Sequence, residues 1–152
     1  MASEGREKTW SRLRDQAFEA LESERIQLRA VTSELGHISN ALTQLVEMKG
    51  EYQPEQSEIV DRSPFSVDKL RRTWTFVSSL EDAIRKTNQQ KIIVKKKERR
   101  IRDTCLELER EVKKYEALER RAGQKRFKAE EAKERKVADE VASAFWLRQN
   151  TE

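Results

Sequence analysis

The chain has 152 residues, enough for one domain, but 39% are Asp, Glu, Lys or Arg and only 36% are apolar, which excludes a thick globular core and indicates a long-helix protein. Its 32 basic and 28 acidic residues leave a net charge of +4 with the signs interspersed, so nucleic-acid binding is not implied. A single cysteine, Cys105, and a single histidine, His37, exclude an intrachain disulfide and a dedicated zinc cluster; with no apolar run of about 18 residues and a charged start at Glu4, Arg6, Glu7 and Lys8, the expectation is a soluble, untargeted, intracellular protein.

Residues 6–49 read as a first helix. Ala17, Val31, Ile38 and Leu45 recur in one heptad position and Leu21, Leu28, Leu35 and Leu42 in its partner, with only Glu24 breaking the pattern. Strict seven-residue spacing keeps the stripe aligned with a partner helix, so something must cover it. Gly36 costs about 1 kcal/mol relative to Ala; it marks either a close helix approach or a tolerated surface glycine. His37 flanks the stripe and reads as an ordinary surface residue.

The periodicity stops at Gly50, and residues 50–63, with Pro54, read as a connector. Ser63 is the expected N-cap and Pro64 the first residue of a second helix over residues 64–148. At 1.5 Å per residue that helix would extend on the order of 120 Å. Its seam is Leu70, Trp74, Val77 and Ile84, then Ile101, Cys105, Leu108, Val112 and Tyr115. A short connector between two amphipathic helices favours an antiparallel hairpin. Counting outward from residues 50–63 places Leu45 near Leu70, Leu21 near Val94 and Trp10 near Cys105. Beyond Tyr115 no partner helix remains, so Leu118, Phe127, Val137, Val141, Phe145 and Trp146 should face solvent or another protein. Alanines and charge pairs keep this tail helical without a core, and Gly123 is the natural place for it to bend or melt.

Catalytic groups are missing. No two glycines have phosphate-loop spacing, and carboxylate pairs such as Glu130 and Glu131 sit among lysines and arginines on solvated faces. The chain is therefore expected to be a non-enzyme that uses no cofactor and no metal. The basic cluster Lys95, Lys96, Lys97, Arg99 and Arg100 either meets phosphates or an acidic protein surface, or is a solvated face around Ile92, Ile93 and Val94. The most informative group is Trp74, Phe76, Val77, Leu80, Ala83 and Ile84. If Trp74, Val77 and Ile84 fill the hairpin's single core stripe, Phe76, Leu80, Ala83 and Thr87 form a second stripe at spacings of four, three and four, a candidate for partner binding. The alternative is one wide core face with Leu80 shared between the stripes.

The order of these features resembles the FliJ family: a leading amphipathic helix; Trp74, Phe76, Leu80, Glu81, Ala83 and Ile84; Tyr115, Glu116, Leu118, Glu119, Arg120 and Arg121; and last Asp139, Glu140 and Ala142. Members are small coiled-coil proteins of the flagellar type III export apparatus, with the YscO proteins of injectisomes as counterparts. The resemblance spans nearly the whole chain. It implies an all-α, elongated antiparallel coiled-coil hairpin with an overhanging C-terminal helix, similar to the γ stalk of rotary ATP synthases. It also implies contacts with the export ATPase ring, the FlhA-like export-gate protein and export chaperones. The gate contact would use Phe76, Leu80 and Ala83, and Thr87 stands where the family pattern has a histidine. The ATPase contact would use Tyr115, Leu118, Glu119, Arg120, Arg121, Asp139 and Glu140.

The expectation is thus one coiled-coil domain, residues 1–152, acting as a cytoplasmic stalk and adaptor associated peripherally with the inner-membrane export apparatus, without membrane insertion. The rival is a structural coiled coil whose exposed stripe self-associates.

Overall fold

The computed structural model describes residues 2–61 and 67–151, residues 3 and 53–61 by their backbone alone. Helix α1 spans Ala2–Asp61 and helix α2 spans Val67–Asn150, 60 and 84 residues long, and among the described residues there is no strand. Asp68 in the first turn of α2 and Arg148 in its last place charge of the sign that each end of the helix dipole favours.

The two helices pack on each other antiparallel, the helical hairpin that the heptads imply. The chain divides into two compact units: Met1–Ser23 with Cys105–Glu152, and Glu24–Thr104. In the second unit Lys49 pairs with Glu81 at 3.4 Å and Tyr52 packs edge-on against Phe76 with ring centroids 4.7 Å apart. Moving forward on α1 moves backward on α2. In the first unit the ion pairs again run in opposite directions, Glu7 lying 3.1 Å from Arg126 and Arg14 pairing with Glu119, and between them on α1 the Trp10 ring stacks on Tyr115 at 6.2 Å.

These pairs correct the predicted register. Trp10 meets Tyr115, not the neighbourhood of Cys105, because α1 does not end at Gly50; its helical backbone runs through Gly50 and position 54 to Asp61. Glycine and proline interrupt helices at costs of about 1 and 3 kcal/mol, but Tyr52, just past Gly50, is anchored on Phe76, and such packing outweighs local propensity. Residues 50–61 of the predicted connector are thereby helical, and the rest of it lies outside the described residues. The predicted capping roles of Ser63 and Pro64 lie outside the described residues.

On α1 the predicted heptads are the seam: Ala17, Leu21, Val31 and Ile38 are buried, and Leu28, Leu35, Leu42 and Leu45 are half-buried. On α2 one position runs Leu70, Val77, Ile84, Lys91, Glu98, Cys105, Val112 and Glu119, and the other runs Thr73, Leu80, Thr87, Val94, Ile101, Leu108, Tyr115 and Ala122; all are buried or half-buried. Trp74, assigned to the core from sequence, is 57% exposed because it falls one residue past the seam position of Thr73. The threonines fit the seam because their hydroxyls donate back into the helix, Thr73 to the Lys69 carbonyl at 3.0 Å and Thr87 to the Ala83 carbonyl at 2.7 Å. Gly36 has open space around it and is a surface glycine.

Candidate docking surfaces

The predicted gate stripe is divided by the structure. Leu80 is only 6% exposed and belongs to the seam, where the heptad register carried back from Ile101 and Leu108 by sevens would have placed it. Phe76 is 40% exposed, with one edge held by Tyr52 and the rest open. Ala83 and Thr87 are half-buried beside it, and Thr87 spends its hydroxyl on the Ala83 carbonyl. The accessible part of the stripe is therefore Phe76 with the outer edges of Ala83 and Thr87, on a base formed by Leu80. Trp74 and Val67 are exposed apolar residues that the sequence reading did not place on a surface.

The second predicted group also separates. Tyr115 is half-buried against Trp10 and carries the Lys114 ammonium 5.8 Å from its ring centre. Glu119 is engaged by Arg14. Leu118, expected to face solvent, is half-buried because α1 reaches further along α2 than the short connector allowed. It joins Trp10 and Ala122 in a depression of about 330 Å³ rimmed by Arg6, Arg121 and Lys125. Arg120, Arg121, Asp139 and Glu140 are exposed.

Gly123 does not interrupt the helix; a Cβ there would sit 3.3 Å from the Glu7 carboxylate, so the glycine makes room for that side chain. The Glu7 Oε2 atom faces Arg126 as a charge contact without hydrogen-bond geometry. The Arg14 guanidinium is held above its ordinary pKa, first by its hydrogen bond to Asp15 and then by the Glu119 charge. Past Arg126, nearly every residue is exposed: Phe127, Val137, Val141, Phe145, Trp146 and Leu147 point from α2 with no α1 residue over them. Val137, Val141 and Phe145 recur every four residues, and Ala142, Ser143, Trp146 and Leu147 line an open hollow beside them.

A family profile described as the flagellar FliJ protein matches residues 8–151, nearly the whole chain. The chain belongs to the FliJ family. The family is a structural component of the flagellar export apparatus, and membership was legible in the order of the Phe76, Tyr115 and Asp139 motifs. No curated protein and no solved structure matches the chain. Among the described residues no helix is long and apolar enough to cross a membrane, and no group of His, Cys, Asp and Glu is placed to hold a metal ion.

Proposed function

We propose that this FliJ-family chain is a non-enzymatic stalk and adaptor that couples the export ATPase ring to the membrane export gate and handles export chaperones, working in the cytoplasm at the inner-membrane apparatus. The observation that carries the reading is the uncovered end of α2, residues 127–150, where Val137, Val141, Phe145, Trp146 and Leu147 remain exposed beside Asp139 and Glu140. Apolar side chains persist on a helix without an intrachain partner where another protein covers them. The ATPase ring is assigned to this end together with Arg120 and Arg121, while Tyr115, Leu118 and Glu119 shape the same end from the seam. The gate is assigned to Phe76, Ala83 and Thr87, with Leu80 holding the surface from beneath.

The test is capture of the purified ATPase and of the gate's cytoplasmic part by the full chain and two variants. Removing residues 127–152 should abolish ATPase capture and keep gate capture. Phe76→Ala should do the reverse, weakening gate binding by at least about thirtyfold, the loss of a typical aromatic anchor worth about 2 kcal/mol. Retention of both partners by both variants sinks the assignment.

A second reading is favoured by the same spacing: Val137, Val141 and Phe145 can pair with another copy of the chain, as in a self-associating structural coiled coil. Sedimentation equilibrium separates the two. An adaptor is a monomer without its partners, and the structural coiled coil is a dimer that residues 127–152 hold together.

A further inference from the structure

Residues 85–102 carry nine basic side chains against one acidic, Glu98. That excess of eight is larger than the whole chain's +4, so the remainder of the chain is net negative and this span sets the positive field. Glu98 is taken by Arg102 at 2.6 Å and Arg85 by Asp82 at 2.9 Å. Lys95, Lys96, Lys97, Arg99 and Arg100 form no ion pair with a described residue. Two isoleucines stand among these cations, Ile92 at 55% and Ile93 at 68% exposure, the latter the most exposed large apolar residue described.

Helical spacing puts them together. Lys96 follows Ile92 by four residues and Ile93 by three, and Arg99 and Arg100 follow the two isoleucines by seven each, so all five share one face. Val94 and Ile101, buried in the seam, mark the opposite face. The result is a convex ridge with two aliphatic side chains at one end and three cations continuing it, Lys95 and Lys97 lying to either side. No aromatic residue occurs between Phe76 and Tyr115, so nothing on the ridge stacks on a base, and the isoleucines gain only by leaving water. A convex ridge of long flexible cations around a small apolar pair has no pocket for a rigid partner, and suits a fluid surface that deforms around it.

We propose that this face of α2 docks on the surface of an anionic lipid bilayer. Ile92 and Ile93 enter the headgroup boundary, and Lys96, Arg99 and Arg100, with Lys95 and Lys97 at the edges, reach lipid phosphates. The contact is interfacial and reversible, and it is independent of the stalk reading.

Sedimentation of the full chain with lipid vesicles tests it. The protein binds vesicles of equal parts phosphatidylcholine and phosphatidylglycerol and leaves pure phosphatidylcholine vesicles in the supernatant. The variant K96Q/R99Q/R100Q loses on the order of a hundredfold in partitioning, three cations at a bilayer surface acting together. I92S/I93S loses the part of the binding that survives high salt. K133Q/R135Q/K136Q, which removes the same charge from exposed positions near the end of α2, binds as the unaltered chain does. All three melt with it, since every altered residue is exposed. Equal binding to neutral vesicles, or equal loss in the control triple, overturns the proposal. Binding to polyglutamate or duplex DNA with no binding to either vesicle also overturns it, and assigns the ridge to an acidic protein or to nucleic acid.

Discussion

The seams of the two units follow one heptad register but are filled differently. In Glu24–Thr104 the buried layers are aliphatic: Val31 and Ile38 on α1, with Leu70, Val77, Leu80, Val94 and Ile101 on α2. In the other unit the buried residues are Ala17, Leu21, Cys105 and Ala122, and beyond them the seam is closed by the Trp10 and Tyr115 rings and by the pairs of Arg14 with Glu119 and Glu7 with Arg126. Aliphatic layers stabilise by leaving water whatever faces them, whereas an ion pair or an aromatic stack rewards only its own partner. Buried aliphatic layers supply stability wherever they occur, Leu21 included; the specific pairs, Tyr52 with Phe76 and Lys49 with Glu81 in one unit and those of Trp10, Arg14 and Glu7 in the other, fix which residue meets which, as polar seam positions do in coiled coils.

That contrast is broken most directly at Leu80 and Leu21. Truncating either buried leucine to Ala should cost about 2 to 5 kcal/mol of unfolding free energy in chemical denaturation. A Leu80→Ala variant as stable as the parent would put Leu80 back on the surface. Leu28→Ala and Leu35→Ala should cost less, since both leucines are only half-buried. Next comes the register device. Arg14→Gln and Glu119→Gln should each lower the melting temperature, and the double variant should lose less than the two losses added together, a coupling that a double-mutant cycle reads directly. Strict additivity would show that the pair does not act across the seam.

Gly36→Ala shifts stability the other way. With open space around the glycine, the substitution should stabilise by about 0.5 to 1 kcal/mol, and a loss would show a helix approach at that point. Deleting residues 127–152 should leave the thermal transition nearly unchanged, because no α1 residue covers that length. Smallest of all is Glu4, whose carboxyl is lowered from its ordinary 4.5 first by a hydrogen bond from Lys8. A depressed folded pKa adds stability that is present above pH 4.5 and lost as pH falls through the folded pKa, so Lys8→Ala should lower stability slightly at neutral pH, change nothing at the acid end of the titration and thereby flatten the acid limb.

The sequence alone determined the all-helical class, the α1 seam from Ala17 to Leu45, half of the α2 seam, the uncovered apolar residues at the end of α2 and the family. All of these follow from residue spacing along one helix, which is local information. Only the tertiary structure decided where α1 ends, which α2 residue each α1 residue meets, and on which side of the seam Leu80 and Trp74 fall. Gly50 and Pro54 are local signals against a helix, and no local signal reports that Tyr52 will find Phe76. Register in an antiparallel pair depends on where the chain turns, so moving the end of α1 from Gly50 to Asp61 moved every partner on α2, bringing Tyr115 to Trp10 and Glu119 to Arg14. The sequence says which residues must be covered; the position of the turn decides what covers them.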